Sequence, residues 1–248
     1  PLGTKLSLFL HRDCDELNFI SRMATTAKII ELRNLLRTRF PSAHQDRPPD
    51  IETFPTGLPC LDDAGLPKGA LTELVSPQKS GGSALILHRL IENLAAKGQY
   101  LALLDGRDSF DPQSLSQAAC DRLLWIRCRS AKETLRSADI LLRDGNLPFV
   151  VIDLQFNSEH EVRRLPGQTW YRLQTLVAKT NATCLIMTQV RSVSSVRLRL
   201  TMNSLLHVSA LERQEKHLLQ TIHLDVTRRH GSIATGTNEL DPAQKLAG

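Results

Sequence analysis

The stretch from Leu71 to Gly98 constrains the fold of this chain more than any other. A short strand pattern, Leu71 to Val75, enters the loop Ser76-Pro77-Gln78-Lys79-Ser80-Gly81-Gly82-Ser83. Apolar residues then recur at helical spacing, Ile86, Leu87, Leu90, Ile91 and Leu94, until Gly98 offers a helix end. Strand, glycine-bearing loop, helix is the context in which backbone N–H groups and a helix N-terminus cradle a phosphate. In the pattern G-x-x-x-x-G-K-[ST] the lysine adds a point charge and the hydroxyl meets Mg²⁺. Gly81 and Ser83 fit that pattern, Ser76 stands where the first glycine belongs, and Gly82 stands where the lysine belongs. The frame is kept and the charge is lost, which forfeits about 1.5–3 kcal/mol of charge-assisted contact. Lys79 is the nearby substitute cation, set against its plainer reading as a solvated loop lysine. The degenerate nucleotide-binding set is therefore Ser76, Lys79, Ser80, Gly81, Gly82 and Ser83.

The rhythm of the surrounding chain extends this unit into a layered fold. A second apolar strand, Tyr100 to Leu104, ends in Asp105, and Asp111-Pro112 supplies an N-cap and first-turn proline for another helix. Leu123 to Ile126, a helical stretch from Ala131 to Arg143, Phe149 to Ile152 ending in Asp153, and Cys184 to Thr188 continue it. Continuous apolar strands alternating with helices predict an α/β fold with a mostly parallel central sheet buried on both faces. Asp153 then falls at a strand's carboxyl end, where open α/β sheets bind ligands and where an acid can meet Mg²⁺. Leu205 to Ala210 and Gln220 to Thr227 read as two strands that extend the sheet antiparallel at one edge.

As an ordered set, Thr56-Gly57, Gly65-Leu66-Pro67-Lys68-Gly69, Glu73, the loop, Asp105 through Asp111-Pro112, Asp153 and Thr188-Gln189-Val190-Arg191 resemble the core of the RecA recombinases across Thr53 to His230. The resemblance implies a RecA-like P-loop NTPase core, ATP with Mg²⁺ held through Ser83 and Asp153, and Gln189 as a nucleotide-state sensor. Departures from the family's pattern point away from turnover. Where active members carry a water-activating glutamate after the second core strand, this chain has Arg107, and a cation cannot serve as a general base. Asp108 is the neighbouring deputy. Asp108, Asp153 and Gln189 are thus vestigial candidates, no catalytic residue is expected, and any ATP/Mg binding is expected to be weak.

The chain is most similar to non-catalytic RecA relatives of the ImuA type. That resemblance implies a cytoplasmic adaptor in the bacterial SOS response, supporting translesion synthesis beside a Y-family polymerase-like partner. The alternatives are a divergent DNA-dependent ATPase, a regulator of RecA filaments, and a SulA-like inhibitor of cell division. SulA-type chains are shorter and lack the ordered glycine and aspartate markers.

Charge bears on partners. The net charge of +5 permits nucleic acid without demanding it, so distribution must carry the argument. Arg191, Arg197 and Arg199 follow the Gln189 strand where recombinases have a mobile DNA-contacting loop, and they are the DNA-binding candidates, for single-stranded DNA in particular; the alternative is a solvated loop or a charged sheet edge. Arg228-Arg229-His230 resembles the position from which active filaments reach a neighbour's nucleotide, or is a charged strand end. Five cysteines without a C-x-x-C pair, and scattered histidines, predict reduced thiols and no metal site. No apolar run reaches the roughly 18–20 residues of a membrane span.

The expected organisation has four parts. Residues 1–22 read as a vector-derived or upstream segment, with Met23 a candidate natural start. Residues 23–50 hold an amphipathic helix, patterned by Ile29, Ile30, Leu32, Leu35 and Leu36, and a proline-bearing linker; the helix can self-associate, bind a partner or fold back on the core. Residues 51–230 form the core, and 231–248 a small-residue, polar and mobile tail.

Overall fold

The computed structural model describes residues 52–78, 80–206 and 215–229, together with positions 31, 34, 35, 38 and 39. The chain divides into two units, Pro1–Pro48 and Pro49–Gly248. In the first, the five described positions are helical and exposed. Ile29, Ile30, Leu32 and Leu36 of the expected amphipathic pattern, the linker, the 231–248 tail and His230 lie outside the described residues.

The second unit is built on seven strands: β1 (Ala70–Val75), β2 (Leu101–Asp105), β3 (Leu123–Arg127), β4 (Phe149–Asp153), β5 (Thr183–Thr188), β6 (Leu198–Met202) and β7 (Leu224–Arg229). They form one sheet in the order β3-β2-β4-β5-β1-β6-β7. Every pairing is parallel except β6 with β7. The central strands β1, β2, β4 and β5 are buried along their whole length, as strands covered on both faces must be. The edges β3 and β7 are half exposed.

Helices cover both faces: α1 (Pro59–Asp62), α2 (Ser83–Ala96), α3 (Gln117–Cys120), α4 (Ala131–Asp144), α5 (Glu159–Arg163), α6 (Gly167–Thr180) and α7 (Glu215–Gln220). One core lies where Ile86, Leu90 and Leu94 of α2 meet Leu74, Leu103, Val151 and Met187. The other lies where Leu135 and Ala138 of α4 and Trp170, Leu173 and Val177 of α6 meet Leu71, Leu104, Ile152 and Ile186. The split follows from the period of two along each strand, which sends alternate side chains to opposite faces.

Local chemistry sets the element ends. Ser130 caps α4 by accepting from the Glu133 N–H at 3.2 Å, while the Glu133 carboxylate accepts from the Arg129 N–H at 2.9 Å, a reciprocal variant of the capping box. Ser158 caps α5 in the same way through the Glu161 N–H.

Three expectations fail in detail. After Asp111-Pro112 the chain makes only a 3-10 turn (Pro112–Ser114) and the four-residue α3, because Ser116 starts a fresh cap that accepts from the Ala119 N–H. Leu205 and Leu206 are not in a strand, and residues 207–210 lie outside the described set. The first extra strand is β6, within the stretch read as a basic loop, and it runs parallel to β1; β7 begins at Leu224, after α7 has taken residues 215–220.

Candidate functional site

The parallel strands deliver their carboxyl ends to one edge of the sheet. Ser76 follows β1, Asp105 ends β2, Asp153 ends β4 and Gln189 follows β5. Asp105 and Asp153 are register partners on adjacent strands, and the Ser76 N–H donates to the Thr188 carbonyl at 2.8 Å. The topology therefore gathers the loop, the two acids and Gln189 along the edge where this kind of sheet holds its ligands.

The loop itself is tightly drawn. The Ser76 hydroxyl and the Gly81 N–H both donate to the Gln78 carbonyl, at 3.1 Å each. Gly82 is the N-cap of α2 and sits in the left-handed region at φ 96°, where an L side chain is strained. A Cβ there would lie 2.9 Å from Ile222 Cδ1 and 3.2 Å from Leu206 Cδ1. Apolar groups from the chain's own later segment thus occupy the space into which a lysine at position 82 would extend. That segment is also tied by backbone, since the Leu206 N–H donates to the Ser80 carbonyl at 2.9 Å. Ser83 is buried, and its hydroxyl donates to Gln155 Oε1 at 2.7 Å. Gln155 Nε2 is buried and has no partner among the described residues. Lys79, the expected substitute cation, lies outside the described residues.

The two strand-end acids divide into a hydrogen-bonded one and a desolvated one. The Asp105 carboxylate accepts from the N–H groups of Arg107, Ser109 and Phe110 at 3.2, 2.8 and 2.8 Å, and so folds the turn after β2. Gly106 is required in that turn, because a Cβ would stand 2.2 Å from Asn157 Oδ1 and 2.6 Å from the Asp153 carbonyl. Arg107, in the glutamate's place, pairs with Glu161 at 3.2 Å. Asp108, at φ 55°, is bonded to Arg127 at the end of β3, and that contact holds its carboxyl below the usual range. It is engaged with the β3 edge and not with the loop.

Asp153 is almost fully enclosed, and burial, helped by the charge of Asp105, pushes its carboxyl up to about 6. Its one described hydrogen bond is accepted from the Gln155 N–H at 2.9 Å. A raised acid favours the fold fully below its unfolded value near 3.8, and that contribution is lost as pH rises through about 6. Asp153→Asn keeps an acceptor for Gln155 and removes the buried charge. We expect the variant to be more stable than the parent by on the order of 2 kcal/mol near pH 7.5 and indistinguishable near pH 3, read by denaturant unfolding at both pH values.

The basic stretch is held down rather than free. Glu73, wholly buried in β1, accepts from the N–H groups of Ser192 and Val193 at 2.8 and 3.1 Å and from the Thr188 hydroxyl at 3.2 Å. Arg199 pairs with Glu73, and its second arm donates to the Val193 carbonyl at 2.6 Å. Arg199, one of the three DNA-binding candidates, therefore faces inward as a staple between β6 and β1. Arg191 is exposed and Arg197 half-buried. Arg228 and Arg229 donate to the carbonyls of Ser194 and Ala64 at 2.9 and 2.8 Å. In the sequence Glu73 shows no partner, and Gln155, Leu206 and Ile222 carry no mark of a place at the site. A charge inside an apolar strand demands a cation on a neighbouring strand, and that signal could have paired Glu73 with Arg199.

Comparison with known proteins agrees with this geometry. The chain matches the RecA N-terminal domain over residues 40–203. It belongs to the RecA N-terminal domain family. Among individual relatives it is similar to Protein RecA of Ruminococcus albus, 29% identical over 162 residues that cover 57% of this chain and 40% of that protein. It is 35% identical over 114 residues to Protein RecA of Frankia alni, covering 44% of this chain and 33% of that protein. With Protein RecA of Chlorobaculum tepidum it shares 30% identity over 161 residues, 57% of this chain and 46% of that protein. The chain spans less than half the length of these curated relatives.

A RecA-family core implies ATP with Mg²⁺. The residues present do not fit that group in the manner of the motif: the lysine position is a glycine packed beneath Leu206 and Ile222, and the Ser83 hydroxyl is already committed to Gln155. Among the described residues no cluster of three or more His, Cys, Asp or Glu could hold a metal. No helix among them is long and apolar enough to cross a membrane. The described cysteines are free thiols, and burial pushes Cys184 up to about 12, so it stays protonated and unreactive.

Proposed function

We propose that this chain is a non-catalytic RecA-like adaptor in the bacterial DNA-damage (SOS) response, supporting translesion synthesis through protein partners, with DNA as a further ligand through Arg191 and Arg197. The packing of Leu206 and Ile222 over Gly82 carries this reading, because it gives the place of the catalytic cation to the protein's own core. Arg107 in the place of the general base, and an Asp108 engaged with Arg127, support it. Such a protein keeps the fold and dispenses with turnover. The partners on this reading are a Y-family polymerase-like protein or RecA itself, in the cytoplasm, with self-association through the upstream helix.

One observation favours a second reading, a divergent DNA-dependent ATPase: Ser83, Asp153 and Gln189 still stand along one sheet edge. In that case Lys79 supplies the missing charge and ATP/Mg binds weakly. Phosphate release from ATP with Mg²⁺ and single-stranded DNA separates the two. The adaptor reading expects no turnover above background; Mg²⁺-dependent turnover that is lost in Lys79→Ala sinks it.

A further inference from the structure

On the sheet face opposite α2, a groove of about 870 Å³ runs between α4 and the α5–α6 segment. Its apolar lining includes Leu135, Ile140, Leu165 and Pro166. Ile140 is 68% exposed in the middle of a helix, an orientation that leaves a large apolar side chain in water unless something covers it.

The charges lining the groove are unbalanced. Both of its acids are already neutralised from within: Asp139 is held by Arg143 and Arg172, and Glu161 by Arg107, the Ala131 N–H and Asn157. Lys132, Arg136 and Arg164 also line it, and among the described residues they have no acidic partner. An apolar channel edged by unbalanced positive charge selects its occupant by complementarity, apolar on one face and acidic on the flanks. The fourteen residues of α4 provide a wall about 21 Å long, enough for about four turns of a partner helix.

We propose that this groove docks an acidic amphipathic helix of a protein partner, with Ile140 as the apolar anchor and Arg136 and Arg164 as the charges that set specificity. A single-stranded nucleic acid fits less well, since its bases stack on aromatic side chains and no Phe, Tyr or Trp lines the groove. The proposal names the partner chemistry of the adaptor reading and rests on it only for biological purpose. Peptide binding and nucleotide turnover are measured separately, so either can fail alone.

The test uses the full chain and two fluorescent peptides of about 15 residues with the same leucine face, one flanked by glutamates and one by lysines, followed by anisotropy. The acidic peptide is expected to bind saturably, to weaken with salt, and to lose about tenfold or more in affinity with Ile140→Asp and with Arg136→Glu combined with Arg164→Glu. The lysine peptide is expected not to bind. These positions are exposed or at the groove rim, so the variants should keep the parent's circular dichroism and melting profile. Equal binding of the two peptides, unchanged affinity in the variants, or no saturable binding by about 1 mM overturns the proposal. So does single-stranded DNA binding, or dimerisation of the chain, that these substitutions abolish while the acidic peptide fails to bind.

Discussion

Arg199→Ala is expected to destabilise the chain by about 3–5 kcal/mol, because it leaves the Glu73 carboxylate wholly buried without its cation. The loss is local in origin. Glu73 and Arg199 together hold Thr188, Ser192 and Val193, so the 188–199 segment should loosen first, seen as faster amide exchange at Ser192 and Val193 than in the helices. Replacing both partners, Glu73→Gln with Arg199→Met, removes the orphaned charge and should recover a large part of the loss. Denaturant unfolding of the single and double variants checks this. If Arg199→Ala left stability within about 0.5 kcal/mol of the parent, the staple would be misassigned.

The second large effect concerns the loop. Restoring the motif's lysine with Gly82→Lys should destabilise the chain by roughly 2–5 kcal/mol, from left-handed strain and from displacement of Leu206 and Ile222. It should also fail to create Mg-ATP binding, because the Ser83 hydroxyl remains with Gln155 and the segment through Leu206 still bonds Ser80. A stable Gly82→Lys protein that binds nucleotide in the micromolar range would mean the cradle is open and lacks only its charge. Thermal melting with and without nucleotide reads both arms of the prediction.

Much of the architecture was legible because parallel strands buried on both faces leave a plain mark. Phe149 to Ile152 and Cys184 to Met187 are unbroken apolar runs, Leu71 to Val75 is interrupted only by Thr72 and Glu73, and Asp105 and Asp153 mark two strand ends. β6 was hidden for the opposite reason. Leu198, Leu200 and Met202 are buried while Arg199 and Thr201 lie between them, so the period of two is present, but arginines so close together favour a DNA-contacting loop as much as a solvated loop or a charged sheet edge. No strand starts at Leu205, because Leu206 packs against the loop at Gly82 instead of pairing in the sheet. Local pattern cannot show that Leu206 and Ile222 cover Gly82, since they follow it by more than a hundred residues and meet it only through the fold. The groove was invisible for a similar reason: its two walls come from separate helices, each an ordinary amphipathic pattern alone.

The decisive measurement is a calorimetric titration of ATP and ADP with Mg²⁺ into the full chain at moderate salt. A cradle closed by Leu206 and Ile222 predicts no binding heat at nucleotide concentrations up to about 1 mM. Saturable micromolar binding would contradict that account, and would give Lys79 or another cation the role that position 82 has lost.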